Sequence, residues 1–195
     1  MRKSIKGLSE TFVVSDTHFF HSNIIKYCSR PFLTIEEMNE SLILNWNSKV
    51  RRNDEVYHLG DFSFDNLSKE KSESILSRLN GIKILIQGNH DNREIKKSKH
   101  WNQVKESLSI SCEEKIFLLS HFPKSSWNRL AKGAYHLHGH VHCNQYTYFP
   151  HYKQRRLDVG VDFWNYYPVS LQDCLDKMFE METFLEQNSI YSNFF

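Results

Sequence analysis

Glycine and proline are scarce in this chain, with seven and four among 195 residues. No repeat, low-complexity tract or linker stands out, and a single domain over 1–195 is expected. Cysteine is equally sparse: Cys28, Cys112, Cys143 and Cys174 lie far apart. Without a Cys-x-x-Cys pair they form neither a zinc knuckle nor a small disulfide framework, so reduced thiols are expected. Charge of one sign is lacking as well. Basic and acidic residues number 25 and 23, for a net charge of +2, which excludes a polybasic nucleic-acid binder. No apolar run approaches the roughly 20 residues of a membrane span. The basic start at Arg2, Lys3 and Lys6 is followed by no apolar stretch of signal-peptide length. A soluble, cytoplasmic chain without a membrane partner is the expectation.

Aromatic residues, by contrast, make up 14% of the chain, and Trp46, Trp127 and Trp164 sit in apolar company, as a dense core requires. Helix signals are clear in places. Thr34 and Glu37 form a capping box, Leu33 and Met38 are spaced as a hydrophobic staple, and Ile35, Met38, Leu42, Trp46 and Val50 recur at helical spacing to about Arg51. A second helix is predicted from about Leu67 to Leu79, stopped by Asn80-Gly81, and a short one over Arg93–Lys99. A last helix is capped by Ser170, with Asp173 at the box position. Between them lie predicted strands at Val56, Ile82–Gln87, Lys115–Ser120, Tyr135–His140 and Leu157–Val161. The alternation says α/β.

Five apolar runs end on metal-type ligands: Phe12-Val13-Val14-Ser15-Asp16 with His18 two residues on, Val56-Tyr57-His58-Leu59-Gly60-Asp61, Ile84-Leu85-Ile86-Gln87-Gly88-Asn89-His90-Asp91, Ile116-Phe117-Leu118-Leu119-Ser120-His121, and Tyr135 through His138-Gly139-His140-Val141-His142. Open α/β proteins gather ligands beyond the carboxyl ends of their strands, so five such ends suggest one site built from the whole chain. Gly60, Gly88 and Gly139 each directly precede a candidate ligand, where a strand must turn or let another backbone approach. Imidazole and carboxylate without thiolate suit Mn, Fe, Zn or Ni. Two metal ions about 3.5–4 Å apart could take one ligand each from His140 and His142, with the two oxygens of Asp61 bridging them. His136 and His138 share the parity of His140 but read as packing or hydrogen-bonding groups. His58 reads as core or as a supporting residue behind the site.

The set Asp16-x-His18, Gly60-Asp61, Gly88-Asn89-His90-Asp91, His121, Gly139-His140-x-His142, spread over about two-thirds of the chain, resembles the calcineurin-like metallophosphoesterase superfamily. The stretches His21 to Phe32, Tyr57 to Phe62 and Val159-Gly160-Val161-Asp162-Phe163-Trp164 resemble a compact bacterial and phage branch of it. The resemblance implies a four-layer α/β/β/α sandwich of two mixed sheets with a dimetal site at the strand ends. It implies that Asp16, His18 and His142 hold one metal, that Asn89, His121 and His140 hold the other, and that Asp61 bridges. His90 would act as general acid or transition-state stabiliser, oriented by Asp91. His21, Asn23 and Arg30 flank the first motif and are candidate substrate contacts, Arg30 through a bidentate phosphate pair. The loop from Pro123 to Lys132 is either a substrate wall or an ordinary solvated loop.

The function expected is a metal-dependent phosphoesterase acting on a phosphomonoester or phosphodiester with a metal-bridging hydroxide. Two divalent ions are the cofactors, Mn first, with Fe, Zn or Ni as alternatives. Its partner would be a small phosphorylated substrate or nucleotide. A nuclease or nucleic-acid end-processing enzyme is the alternative, although Lys and Arg are scattered apart from short groups at Arg51-Arg52, Lys96-Lys97-Lys99 and Arg155-Arg156. A non-catalytic scaffold would be expected to have lost ligands, and none is missing.

Overall fold

Short apolar runs rich in Val, Ile and Leu set a first sheet that is buried on both faces. In the computed structural model, which describes residues 7–64, 68–142 and 155–188, four strands run parallel: β1 (Thr11–Val14), β2 (Glu55–His58), β3 (Ile82–Ile86) and β4 (Gln103–Lys105). The edge strand β9 (Val169–Ser170) lies antiparallel to β1, giving the order β4-β3-β2-β1-β9. A second sheet has the order β5-β6-β7-β8 and comprises β5 (Ser107–Cys112), β6 (Lys115–Ser120), β7 (Tyr135–His138) and β8 (Arg156–Asp158). Its first pair is an antiparallel hairpin; the rest is parallel.

The helices are α1 (Ser22–Tyr27), α2 (Ile35–Lys49), α3 (Lys69–Leu76), α4 (Arg93–Lys96) and α5 (Leu171–Asn188). One core lies between the first sheet and the helices on its outer face: Phe12, Val14, Val56 and Leu85 meet Met38, Leu42, Trp46, Ile75 and Ile95. The other fills the space between the sheets, where Val13, Tyr57 and Ile84 meet Phe117, Leu119, Leu137 and Leu157, closed by Leu171, Cys174 and Met178 of α5. The result is an α/β/β/α sandwich of two mixed sheets. No helix of the described residues is long and apolar enough to cross a membrane.

Local chemistry fixes the helix ends. Thr34 Oγ1 accepts the Glu37 N–H at 3.1 Å, and Glu37 reaches back to the Leu33 N–H at 2.7 Å. The expected staple does not form, because Phe32 turns inward and leaves Leu33 93% exposed. At α5 the Ser170–Asp173 box closes in both directions, at 2.9 and 3.0 Å. Helix α3 is shorter than predicted: it ends at Leu76, and Gly81 at φ +94° makes the later turn against Val50 and Val56. Leu67 lies outside the described residues.

Two buried histidines brace the sandwich as neutral rings. His58 Nδ1 accepts the Gly60 N–H, so its Nε2–H donates to Thr17 Oγ1, which donates on to the Phe62 carbonyl. His136 Nε2 accepts the Lys124 N–H, and its Nδ1–H donates to the Leu118 carbonyl. Burial lowers the first to about 3 and the second to about 4. Both titrate near 6.5 when unfolded, so the unfolded chain binds more protons as pH falls below that value. Their contribution is complete above about pH 6.5 and is lost on acidification towards those folded values. At pH 5 each should cost about 2 kcal/mol. Urea midpoints of metal-free protein at pH 7.5 and 5 test this. His136→Gln should flatten part of the decline, and an unchanged slope would refute the assignment.

Candidate metal centre

All five predicted strand ends converge at one edge of the sandwich. The sheets themselves join there: Ser15 N–H donates to the Val159 carbonyl, Val161 N–H donates to the Ser15 carbonyl, and Ser15 bridges Gly160. Beyond the strands the chain leaves β geometry abruptly. Asp16, His18, Asp61, His140 and His142 all have φ between 47° and 75°, a region that non-glycine residues occupy at a cost of about 1 kcal/mol or more each. Five of the seven candidate ligands are thus strained, which the surrounding hydrogen bonds sustain.

Two groups of ligand atoms result. Asp16, His18 and His142 form one, Asp61, His121 and His140 the other, each with its atoms within 4.8 Å of one another. In the first, His18 Nε2 lies 3.3 Å from His142 Nε2 and 4.0 Å from Asp16 Oδ1, and the third side measures 3.8 Å. In the second, His121 Nε2 lies 2.9 Å from Asn89 Oδ1 and 3.4 Å from Asp61 Oδ2. The same Asp61 oxygen is 3.7 Å from His18 Nε2. It stands between the groups.

These donor sets fit metal ions. Ligands about 2.0–2.2 Å from a common ion lie roughly 3–4 Å apart, as these do. His121 Nδ1–H donates to the Leu59 carbonyl at 2.8 Å, so in the neutral ring the Nε2 lone pair faces two oxygen acceptors. Three acceptors pointing at one another need a shared positive charge, which a proton on Nε2 or a metal ion can supply. Asp16 Oδ1 is buried with no hydrogen-bond partner among the described residues, while Asp16 Oδ2 accepts the His140 N–H at 2.9 Å. Burial opposes the imidazolium of His142, but Asp162, Cys28 and Asp16 outweigh it and push the pKa up to about 11. Burial lowers His18 to about 2, so a proton shared by these two rings resides on His142.

His90 is half-buried beside the first group, its ring 5.5 Å from that of His18, and its N–H donates to Asp61 Oδ1 at 2.9 Å. Asp91 was expected to orient the His90 ring. Its carboxylate is used differently: it accepts the N–H groups of Gly88, Asp61 and Phe62 at 2.7, 3.0 and 2.9 Å. Three short backbone bonds within reach of both oxygens clamp the β2 and β3 loops together.

His21 precedes α1, its ring 5.6 Å from His18 and tilted against Phe64 at 4.5 Å, and Asn23 is exposed on the first turn. Arg30 is not a phosphate contact. Its guanidinium is buried and donates to Asp162, to Met38 Sδ and to the carbonyls of Asp16 and Thr17. All five N–H groups are therefore in use. After His121 the loop first lays Phe122 against the rings of His121 and His140, at 4.9 and 4.5 Å, and then buries Trp127 against His136. His138 Nδ1–H donates to the Gly139 carbonyl. Neither His136 nor His138 belongs to a ligand group. Cys28, Cys112 and Cys174 form no disulfide among the described residues; Cys143 lies outside them.

Two participants carry no metal-type signature in sequence. Thr17 hides between two ligands, and its link to His58 is a tertiary one. Asp162, whose Oδ2 accepts the His142 Nδ1–H at 2.8 Å, lies 20 residues on in the Gly160-Val161-Asp162-Phe163 stretch. The only available signal was an acidic residue inside that stretch.

Residues 10–160 match the family model of the calcineurin-like phosphoesterase superfamily domain. An uncharacterised protein of Methanocaldococcus jannaschii is 40% identical over 177 residues, which cover 89% of this chain and 93% of that one. The Gene 66 protein of Mycobacterium phage L5 is 28% identical over 187 residues, covering 80% and 88%. The crystal structure of a protein of unknown function from Aquifex aeolicus aligns with a TM-score of 0.69 and 25% identity, covering 90% of this chain and 100% of that one.

Proposed function

This chain belongs to the calcineurin-like phosphoesterase superfamily and is a phosphate-ester hydrolase, and we propose that it cleaves a phosphomonoester or phosphodiester of a small molecule with two divalent ions, Mn²⁺ first. The observation that carries this reading is the single Asp61 oxygen 3.7 Å from His18 Nε2 and 3.4 Å from His121 Nε2. Asp16, His18 and His142 would hold one ion, Asn89, His121 and His140 the other, with Asp61 shared. When bound, such ions lower the pKa of a water and neutralise phosphoryl charge.

The protein's own part is positioning. The Asp91 clamp and the His90 N–H to Asp61 bond fix the backbone on which His90 stands. From there its imidazole would donate a proton to the departing oxygen or offset charge on the phosphoryl group. His21, packed on Phe64, would also line the first group through its approach to His18.

The test is turnover of aryl phosphate mono- and diesters. Protein stripped with chelator should be inactive and Mn²⁺ should restore it. Metal-loaded protein that cleaves neither ester would sink the proposal. A nucleotide panel and single-stranded DNA at rising salt complete the screen, since steep salt dependence would move the substrate class to nucleic acid.

A further inference from the structure

We propose that the Arg30–Asp162 pair is the positioning device of the Asp16–His18–His142 group. The inference rests on that group holding a metal ion. Arg30 and Asp162 are 132 residues apart in sequence, and the guanidinium side chain is wholly buried. Its Nε–H and one Nη2–H form a fork on Asp162, at 2.8 and 2.9 Å. The remaining donors reach Thr17 O at 3.0 Å, Asp16 O at 2.8 Å and Met38 Sδ at 3.5 Å. One planar cation therefore grips the backbone that carries Asp16 and His18. Through Asp162 it also governs His142, whose Nδ1–H donates to Oδ2 at 2.8 Å.

The consequences are geometric. With Nδ1 bound to a carboxylate, the Nε2 of His142 points at His18 and Asp16 rather than turning away, and its basicity rises. Only Arg has the fork for this; Lys would supply a point charge to one acceptor at a time. The pair also decides what Asp162 cannot do. Cys28, His142 and Asp162 place ligand atoms within 4.8 Å of one another, but both Asp162 oxygens already accept charged or polar donors, so that trio is a hydrogen-bonded support. The Asp61–His121–His140 group shares the bonds from Asp16 N–H to Gly60 O, His18 N–H to Asp61 O and His140 N–H to Asp16 Oδ2. It also has braces of its own in the Leu59 carbonyl on His121 and the Asp91 clamp on the Asp61 loop. Damage at Arg30 or Asp162 should thus fall mainly on the Asp16–His18–His142 group.

Asp162→Asn, Asp162→Ala and Arg30→Lys test this, each reconstituted at the lowest Mn²⁺ concentration that fills both wild-type sites. Metal content by atomic emission should drop from about two ions per chain to about one in Asp162→Ala, the weaker site losing roughly 10–100-fold in affinity. The spin-coupled manganese resonance of wild type should give way to an isolated-ion signal. In a His142→Ala background, Asp162→Asn should change little further, because Asp162 acts through His142. A cooperative thermal melt identifies the folded variants, with Asp162→Asn serving if Asp162→Ala does not fold. Two ions at unchanged affinity in a folded variant, or equal weakening of both sites, overturns the inference while leaving the phosphoesterase reading intact. A wild-type chain that binds no pair of ions overturns that reading first.

Discussion

Asp61→Asn will leave a folded protein whose turnover of an aryl phosphate is reduced by about a thousandfold or more. The substitution is nearly isosteric, and Asn Oδ1 can still accept the His90 N–H that Asp61 Oδ1 accepts at 2.9 Å. What it removes is the charge on the single oxygen within 3.7 Å of both Nε2 atoms of His18 and His121. Burial disfavours the Asp61 carboxylate, yet hydrogen bonds and charge from His121 hold its pKa below the ordinary value, so the anion is the resident form. Losing one preorganised electrostatic group typically costs 10²–10³ in rate; a group shared by two cations should lie at or beyond the upper end. The metal-free variant should unfold at a urea midpoint close to wild type, because the buried carboxylate of Asp16 loses a like-charged neighbour. Turnover within tenfold of wild type at saturating Mn²⁺ would show that Asp61 is not shared.

The candidate ligands were legible in sequence because strand ends concentrate them and their types are rare enough to stand out. Asp16, His18, Asp61, Asn89, His121, His140 and His142 all lie where β1, β2, β3, β6 and β7 stop. Capping boxes at Thr34 and Ser170 were legible for a similar reason: both partners lie within four residues. What escaped was tertiary. Arg30 carries the signature of a phosphate contact, and only the fold reveals that Asp162 occupies its fork from 132 residues away. Asp91 escaped likewise, since its partners on Asp61 and Phe62 are 30 and 29 residues distant. Strand β5 carries a strict alternation of Ser107, Ser109 and Ser111 with Leu108, Ile110 and Cys112, the period of a half-buried strand, though serine is no strong strand former. Its hairpin turns on Glu113 and Glu114 at φ 46° and 67°, where Asn or Gly would have signalled the turn. The glycines divide in a way that spacing alone did not show. Gly60 needs its φ of +95°, whereas Gly88 and Gly139 are needed for what they lack.

Gly139→Ala should destabilise the fold and the candidate site together. A Cβ there would overlap Ser15 Oγ and Asp16 Oδ2, and neither can yield cheaply. Ser15 Oγ donates to the Leu59 carbonyl at 3.0 Å, and Asp16 Oδ2 accepts the His140 N–H at 2.9 Å. Gly139 is itself tied to the His121 carbonyl by its N–H at 3.0 Å. Moving any of these disturbs a ligand, and moving the backbone separates β7 from β1. Those strands belong to different sheets, so this contact is both the closure of the sandwich and the floor of the site. Overpacking of this kind costs about 3 kcal/mol or more, and metal content should fall with it. Gly133→Ala is the control: its φ of +81° is strained for alanine, but the nearest atom is Arg155 Cζ at 4.0 Å, so only about 1 kcal/mol is expected. Equal urea midpoints for the two variants would mean that backbone conformation, rather than the approach of the two sheets, is what Gly139 provides. A larger loss at Gly139, with metal binding lost in step, would mean that the sheets cannot close without assembling the ligands.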